Sequence, residues 1–187
     1  GGKSAEHEVS LQSAKSVIAA IDRSKYDVTL IGIDKAGKWF LNDESHYLLN
    51  ADNPKLISLN KSNKEVTLVS EGESSQLLDL STNTPIETID VVFPVLHGTY
   101  GEDGSIQGFF KLVNIPFVGC GILGSSVGMD KDVTKRLLRD AGIGIAKFIT
   151  VTKTNYADVS FAKASAELGL PMFIKPCNAG SSVGVHK

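Results

Sequence analysis

At 187 residues, 42% hydrophobic and 21% charged, the chain has the make-up of an ordinary globular protein, with room for one large domain or two small ones. Its net charge of −2 supplies no field to gather nucleic acid or an anionic membrane, and no apolar run approaches the roughly 20 residues of a membrane span. Cys120 and Cys177 lack the spacing of a zinc site and are expected as reduced, buried thiols of a cytosolic protein.

In chain order, "VSLQSAKSVIAAI" (9–21) has apolar residues at 11, 14, 17, 18 and 21, which predicts a helix with one buried face. "YDVTLIGID" (26–34) reads as a strand, and residues 35–88 as an inserted β-rich meander carrying "KEVTLVS" and "SQLLDLS" as short antiparallel strands. The apolar run 89–96 is expected to resume the sheet, followed by a helix over 105–114 and a short strand at 115–121. A second block is expected to alternate helix 131–142, strand 145–151, helix 160–168 and strand 172–175. Such alternation predicts an α/β layer architecture with a boundary near Gly119. The Gly-Gly start and the "SSVGVHK" end are expected to be cuts in a longer protein.

Four stretches could carry chemistry. "HGTYGEDGSIQG" (97–108) sets four glycines, adjacent Glu102 and Asp103, and His97 at the end of an apolar segment, where open α/β sheets place ligands. Glu102 and Asp103 are read first as turn and cap residues, with Asp103 or Ser105 capping the next helix. "KPCNAGSSVGV" (175–185) joins a lysine to a Gly-Ser-Ser loop, suited to a phosphate through backbone N–H groups, hydroxyls and a cation; a strand with a surface hairpin is the plain alternative. Lys131 stands in the first turn of its helix, where a cation gains nothing from the dipole; a solvated basic face is the plain reading, and the position is compatible with a phosphate ligand. "GGKSAEHEVS" (1–10) places Glu6 at a helix start, either as a dipole partner or facing a substrate ammonium. "GCGILG" (119–124) matches a dinucleotide fingerprint but lacks both the βαβ continuation and the ribose-binding acid.

In this order and spacing, "GGKSAEHEVS", "HGTYGEDGSIQG", "MDKDVTKRLL", "GLPMFIKP" and "GSSVGV" resemble the D-alanine–D-alanine ligases of the ATP-grasp superfamily, over essentially the whole chain. The resemblance implies an α/β fold with a Rossmann-like N-terminal (pre-ATP-grasp) substrate domain over 1–119, its first strand missing and a β-rich insertion within it. An incomplete central ATP-grasp subdomain would occupy 120–187, truncated before the C-terminal domain.

It also implies an ATP-dependent reaction that joins two D-alanines through a D-alanyl phosphate, for peptidoglycan. By the resemblance, Glu6 holds the ammonium of the first D-alanine, Ser181 hydrogen-bonds with Glu6, and His97 sits beside the first substrate. Lys131 and Lys175 offset triphosphate charge, and the backbone of Ser182 and its neighbours forms a lid over the phosphates. Two Mg2+ ions, or Mn2+, are expected in the complete enzyme, with ligands beyond residue 187. A cytoplasmic homodimer is implied, with no nucleic-acid or membrane partner. The alternatives are a ligase joining D-alanine to D-lactate or D-serine and, for these 187 residues alone, an inactive, partial nucleotide-binding module.

Overall fold

The apolar stripe of the first predicted helix finds its partner in the inserted meander. In the computed structural model, which describes residues 1–72 and 74–187, helix α1 spans His7–Ala20. Its Leu11, 2% exposed, packs with Ile57, Leu59 and Leu48. Those residues lie on or beside the two-stranded pair β3 (Leu48–Leu49) and β4 (Ser58–Leu59). Strands β1 (Leu30–Ile33) and β2 (Trp39–Asn42) form an antiparallel hairpin. Its turn is organised by Asp34, 3% exposed, which accepts from the amides of Ala36 and Lys38 at 2.9 Å and from Lys61 Nζ at 2.6 Å.

The main core lies under a three-stranded antiparallel sheet of β5 (Val66–Glu71), β6 (Ser74–Asp79) and β7 (Thr84–Thr88). Alternation places Val66 and Leu68 of β5 on one face, with Leu77 of β6 opposite Leu68. These three pack with Phe110 and Ile115 from helix α2 (Ser105–Leu112) and its exit. Trp39 meets Phe109 edge-on at 5.5 Å between centroids. The meander is therefore the floor on which α2, and with it the loop 97–104, is seated.

Helices α3 (Ile122–Met129), α4 (Lys131–Asp140) and α5 (Phe161–Leu168) follow, with a short 3-10 turn at Tyr156–Asp158. The chain divides into two compact units, Gly1–Ser126 and Val127–Lys187. Among the described residues, no helix is long and apolar enough to cross a membrane.

Several expectations are corrected. The run 89–96 forms no ladder; it pairs through one parallel bridge, Val92 with Phe117, and leaves Val91 and Phe93 half exposed. An apolar run specifies a segment that seeks burial, but a ladder also needs neighbouring strands; here Val92 bonds with Pro116 and Val118, and at the start of the run Ile89 donates its amide to Ser75 O at 3.0 Å. The expected strand 145–151 is irregular, and 172–175 contributes a single bridge, Ile174 with His186. Both cysteines are free as expected, but Cys120 is exposed and Cys177 only half-buried.

Leu77 is fully buried. Leu77→Ala is expected to destabilise the first unit by about 2–5 kcal/mol, measured by denaturant unfolding, because β6 is the middle strand and the site cannot collapse freely.

Candidate active site

The first ten residues bury polar groups where a helix start would ordinarily be wet. Ser4, Glu6, His7 and Ser10 are 8, 9, 4 and 0% exposed. Two hydroxyls explain why. Ser10 Oγ accepts from the His97 amide at 2.9 Å and donates to the Glu6 carbonyl at 3.1 Å. Ser4 Oγ donates to the His97 carbonyl at 2.7 Å and accepts from the Glu6 amide at 3.1 Å. The backbone of His97 is thus bracketed by two serines some ninety positions away, each of which also holds the backbone of Glu6. His7 packs its Nδ1 against Gly2; burial pulls its pKa below the ordinary histidine value, against the opposing effect of the Gly2 backbone bond.

Glu6 occupies the N-cap position of α1, yet its side chain makes no capping bond. Its carboxylate lies against Gly98, whose φ of +75° suits glycine and whose missing Cβ would collide with Glu6 Oε2. The glycine is required there on both counts. The structure thus brings Glu6 and the His97 loop together within the first unit.

The loop after His97 is held by its own acids. Glu102 Oε2 accepts from the Gly98 amide at 2.6 Å, and Oε1 stands 3.7 Å from His97 Nδ1. Asp103 accepts from the Tyr100 and Ser105 amides at 2.9 and 3.0 Å. Burial pushes its pKa up, but these amides and the Ser105 hydroxyl outweigh it and hold the carboxyl below the ordinary aspartate value. The α2 N-cap by backbone geometry is Gly104, at φ +94°, so Asp103 ties the turn without being the cap. On the far side of the ring, His97 Nε2 is 2.8 Å from Ser13 Oγ. A cavity of about 200 Å³ opens beside His97, lined among others by Gly2, Lys3, Trp39, Tyr100 and Phe109.

The second unit gathers the other candidates. Asp130 caps α4, accepting from the Asp132 and Val133 amides at 3.0 Å, and its other oxygen takes Asn178 Nδ2 at 3.1 Å. Lys131 donates its amide to Cys177 O at 3.1 Å and its ammonium to the carbonyls of Cys177 and Ala179. The lysine therefore reaches the Gly-Ser-Ser loop. That loop is closed at its base by paired bonds between Ile174 and His186, at 2.8 and 2.9 Å. Ser181 and Ser182 turn consecutively through φ +45° and +61°, and both side chains are exposed. Lys175 sits exposed at the base, its ammonium 6.0 Å from the Phe173 ring centroid. Among the described residues, no group of three or more His, Cys, Asp or Glu could hold a metal ion.

Sequence reasoning missed Ser4, Ser10, Ser13 and Asp130, and read Glu102 first as a turn or cap residue, with a direct role as the lesser alternative. Asp130 carried a readable signal, an aspartate immediately before a periodic segment. Ser10 and Ser13 stand four and seven residues after Glu6, one helical face with it, but serine on a helix has no distinctive reading until its partner is known.

Two outcomes follow from these contacts. Ser10→Ala leaves the His97 amide without its acceptor, and is expected to cost about 1–3 kcal/mol in denaturant unfolding. The Asp130 carboxyl is held below the ordinary aspartate value, first by the Val133 amide and further by Asn178 and the Asp132 amide, against an opposing burial effect. Its contribution is present above the unfolded aspartate pKa and is lost as pH falls through the lower folded value. Asp130→Ala should therefore destabilise the second unit by about 1 kcal/mol at neutral pH, with the difference vanishing in acid. Unfolding monitored at both pH values checks this.

Comparison with known proteins closes the question of kinship. Residues 1–120 match the family description "D-ala D-ala ligase N-terminus", and residues 137–187 match "D-ala D-ala ligase C-terminus". The chain is 57% identical over all 187 residues to the D-alanine–D-alanine ligase A of Escherichia coli, and 55% identical to the D-alanine–D-alanine ligase of Oceanobacillus iheyensis. It spans 51% of the length of each, about half of these curated relatives. Among solved structures, the D-alanine–D-alanine ligase from Coxiella burnetii aligns with a TM-score of 0.81 at 33% identity, over 99% of this chain and 53% of that one. The VanG D-Ala:D-Ser ligase from Enterococcus faecalis aligns with a TM-score of 0.78 at 37% identity, over 99% and 52%. With two family matches in order and full-length identity above one half, the chain belongs to the D-alanine–D-alanine ligase family.

Proposed function

We propose that the protein is the first half of an ATP-dependent ligase that joins two D-alanines for peptidoglycan. The observation that carries this reading is the buried Glu6 carboxylate set against Gly98, in the loop that bears His97, in a chain of this family. A buried carboxylate facing small, glycine-lined space suits a small cation, and the ammonium of D-alanine is one.

In the first step, the carboxylate of one D-alanine attacks the γ-phosphate of ATP, releasing ADP and forming D-alanyl phosphate. In the second, the free amine of another D-alanine attacks the acyl carbon, and the tetrahedral intermediate collapses with loss of phosphate. Neither step needs a covalent bond to the protein, so its work is positioning and charge compensation. Glu6 anchors the first ammonium, and His97 stands beside the acyl group. Lys131 and Lys175 offset triphosphate charge, the backbone of Ser182 and its neighbours covers the phosphates, and Ser181 is a hydroxyl of the active centre. The reach of Lys131 to the loop carbonyls supports its grouping with Ser181 and Ser182. Mg2+, or Mn2+, would supply further compensation of phosphate charge; the described residues offer it no cluster, and no step here depends on it.

The same reading divides the chain into a Rossmann-like substrate domain, 1–119, and part of a central ATP-grasp subdomain, 120–187. It also places the enzyme as a cytoplasmic homodimer. In this reading the first half serves the first substrate, D-alanine, and the fold it shares over 99% of this chain with a D-Ala:D-Ser ligase supports that assignment. The choice of D-alanine as second substrate rests on the curated relatives.

In the full-length protein carrying this chain, Glu6→Gln is expected to raise KM for the first D-alanine about ten- to a hundredfold, the loss of one charge-assisted contact, while KM for ATP stays within about twofold. Steady-state kinetics with each substrate varied in turn measures both. Equal, small effects on the two would remove Glu6 from the role given to it.

A further inference from the structure

Helix α1 grips His97 twice. Ser10 holds its backbone amide, and one turn further along the same face Ser13 Oγ meets the ring at Nε2, 2.8 Å away. On the ring's other edge, Nδ1 faces Glu102 Oε1 at 3.7 Å, too long for a hydrogen bond but close enough for the field of the carboxylate to act on the ring proton. That carboxylate is itself fixed, because Oε2 takes the Gly98 amide at 2.6 Å. A neutral imidazole carries one proton, and a hydroxyl can donate or accept. The carboxylate attracts the proton to Nδ1, and the serine then donates to the lone pair at Nε2.

We propose that Ser13 is a positioning residue that, together with the Glu102 carboxylate on the opposite edge of the ring, fixes His97 in its Nδ1–H tautomer, so that the imidazole offers the reacting centre a hydrogen-bond donor and keeps its lone pair occupied. Its meaning for catalysis rests on the ligase reading above. In that setting His97 donates to an oxygen of the acyl group or its phosphate, and is not the base that takes the proton from the attacking amine. The contact also accounts for a hydroxyl two turns into α1, at a position where the helix itself has no use for one.

The test uses the 187-residue chain with 15N-labelled histidine, and reads the tautomer of His97 from its two ring-nitrogen shifts on the alkaline plateau, where they no longer change with pH. The wild type should show a protonated Nδ1 and a bare Nε2. Ser13→Ala should move the population toward the Nε2–H form, and Ser13→Thr, which keeps a hydroxyl, should retain the wild-type pattern. Backbone amide spectra confirm that each variant keeps the fold. In the full-length protein, Ser13→Ala should lower kcat about tenfold, the worth of one well-placed hydrogen bond, with KM for ATP unchanged and Ser13→Thr restoring the rate.

An Nε2–H tautomer in the wild type, or the same shifts in Ser13→Ala, would overturn the inference. If the tautomer behaves as stated but the full-length protein makes no dipeptide, the ligase reading falls and the positioning contact stands. Dipeptide formation with an unmoved tautomer sinks the contact alone.

Discussion

The candidate site depends on one fastening: two buried hydroxyls, Ser4 and Ser10, hold the backbone of His97 and the backbone of Glu6 at the same time. Segment 89–96 is otherwise held upstream, where Ile89 and Val92 bond to Ser75, Pro116 and Val118 and pack on the main core. It joins no multi-residue ladder and keeps large apolar side chains half exposed. Hydroxyls suit this task because each can donate and accept at once, satisfying two buried backbone groups that would otherwise be costly to remove from water. Neither a carboxylate nor an amide could replace them in so little space, and Ser10 is wholly buried.

The fastening is supported from below by the meander. Leu11 of α1 rests on the β3–β4 pair, and Phe110 of α2 on β5 and β6. The helix that carries Glu6, Ser10 and Ser13 and the helix that follows the glycine loop are therefore seated separately, and the hydroxyl bonds set their register at the top. Glycine at 98 then lets the loop run directly beneath the Glu6 carboxylate. The segment expected as an inserted β-rich meander is the seat of both helices that frame the site.

Much of this was legible beforehand, and the divide has a physical basis. Helices α1, α2, α4 and α5 carry their own periodicity, and β5 and β6 their alternation, so local sequence predicts them within a few residues. The expected strands at 89–96, 145–151 and 172–175 were read from apolar content alone, and a ladder is a property of two segments. Glu6 and His97 stood out because charged residues amid glycines are unusual at a helix start and a segment end. Ser10 and Ser13 did not, since their partner lies more than eighty positions away and serine is common on helix surfaces. No residue of Val127–Lys187 reaches full burial. Its interactions are mostly polar: the Asp130 cap, the Lys131 bonds to loop carbonyls, and the Asp132 pair with Arg136 at 2.9 Å.

Amide hydrogen exchange at His97 and Gly98 examines the fastening most directly, since their N–H groups are held by Ser10 and Glu102 in a segment with almost no ladder. If those side chains hold the loop against α1, both amides exchange as slowly as the core amides of β5 and β6. Exchange at the rate of unprotected chain, with the β5–β6 core still protected, would mean that Glu6 and His97 are not held together, and the account of the site would fail.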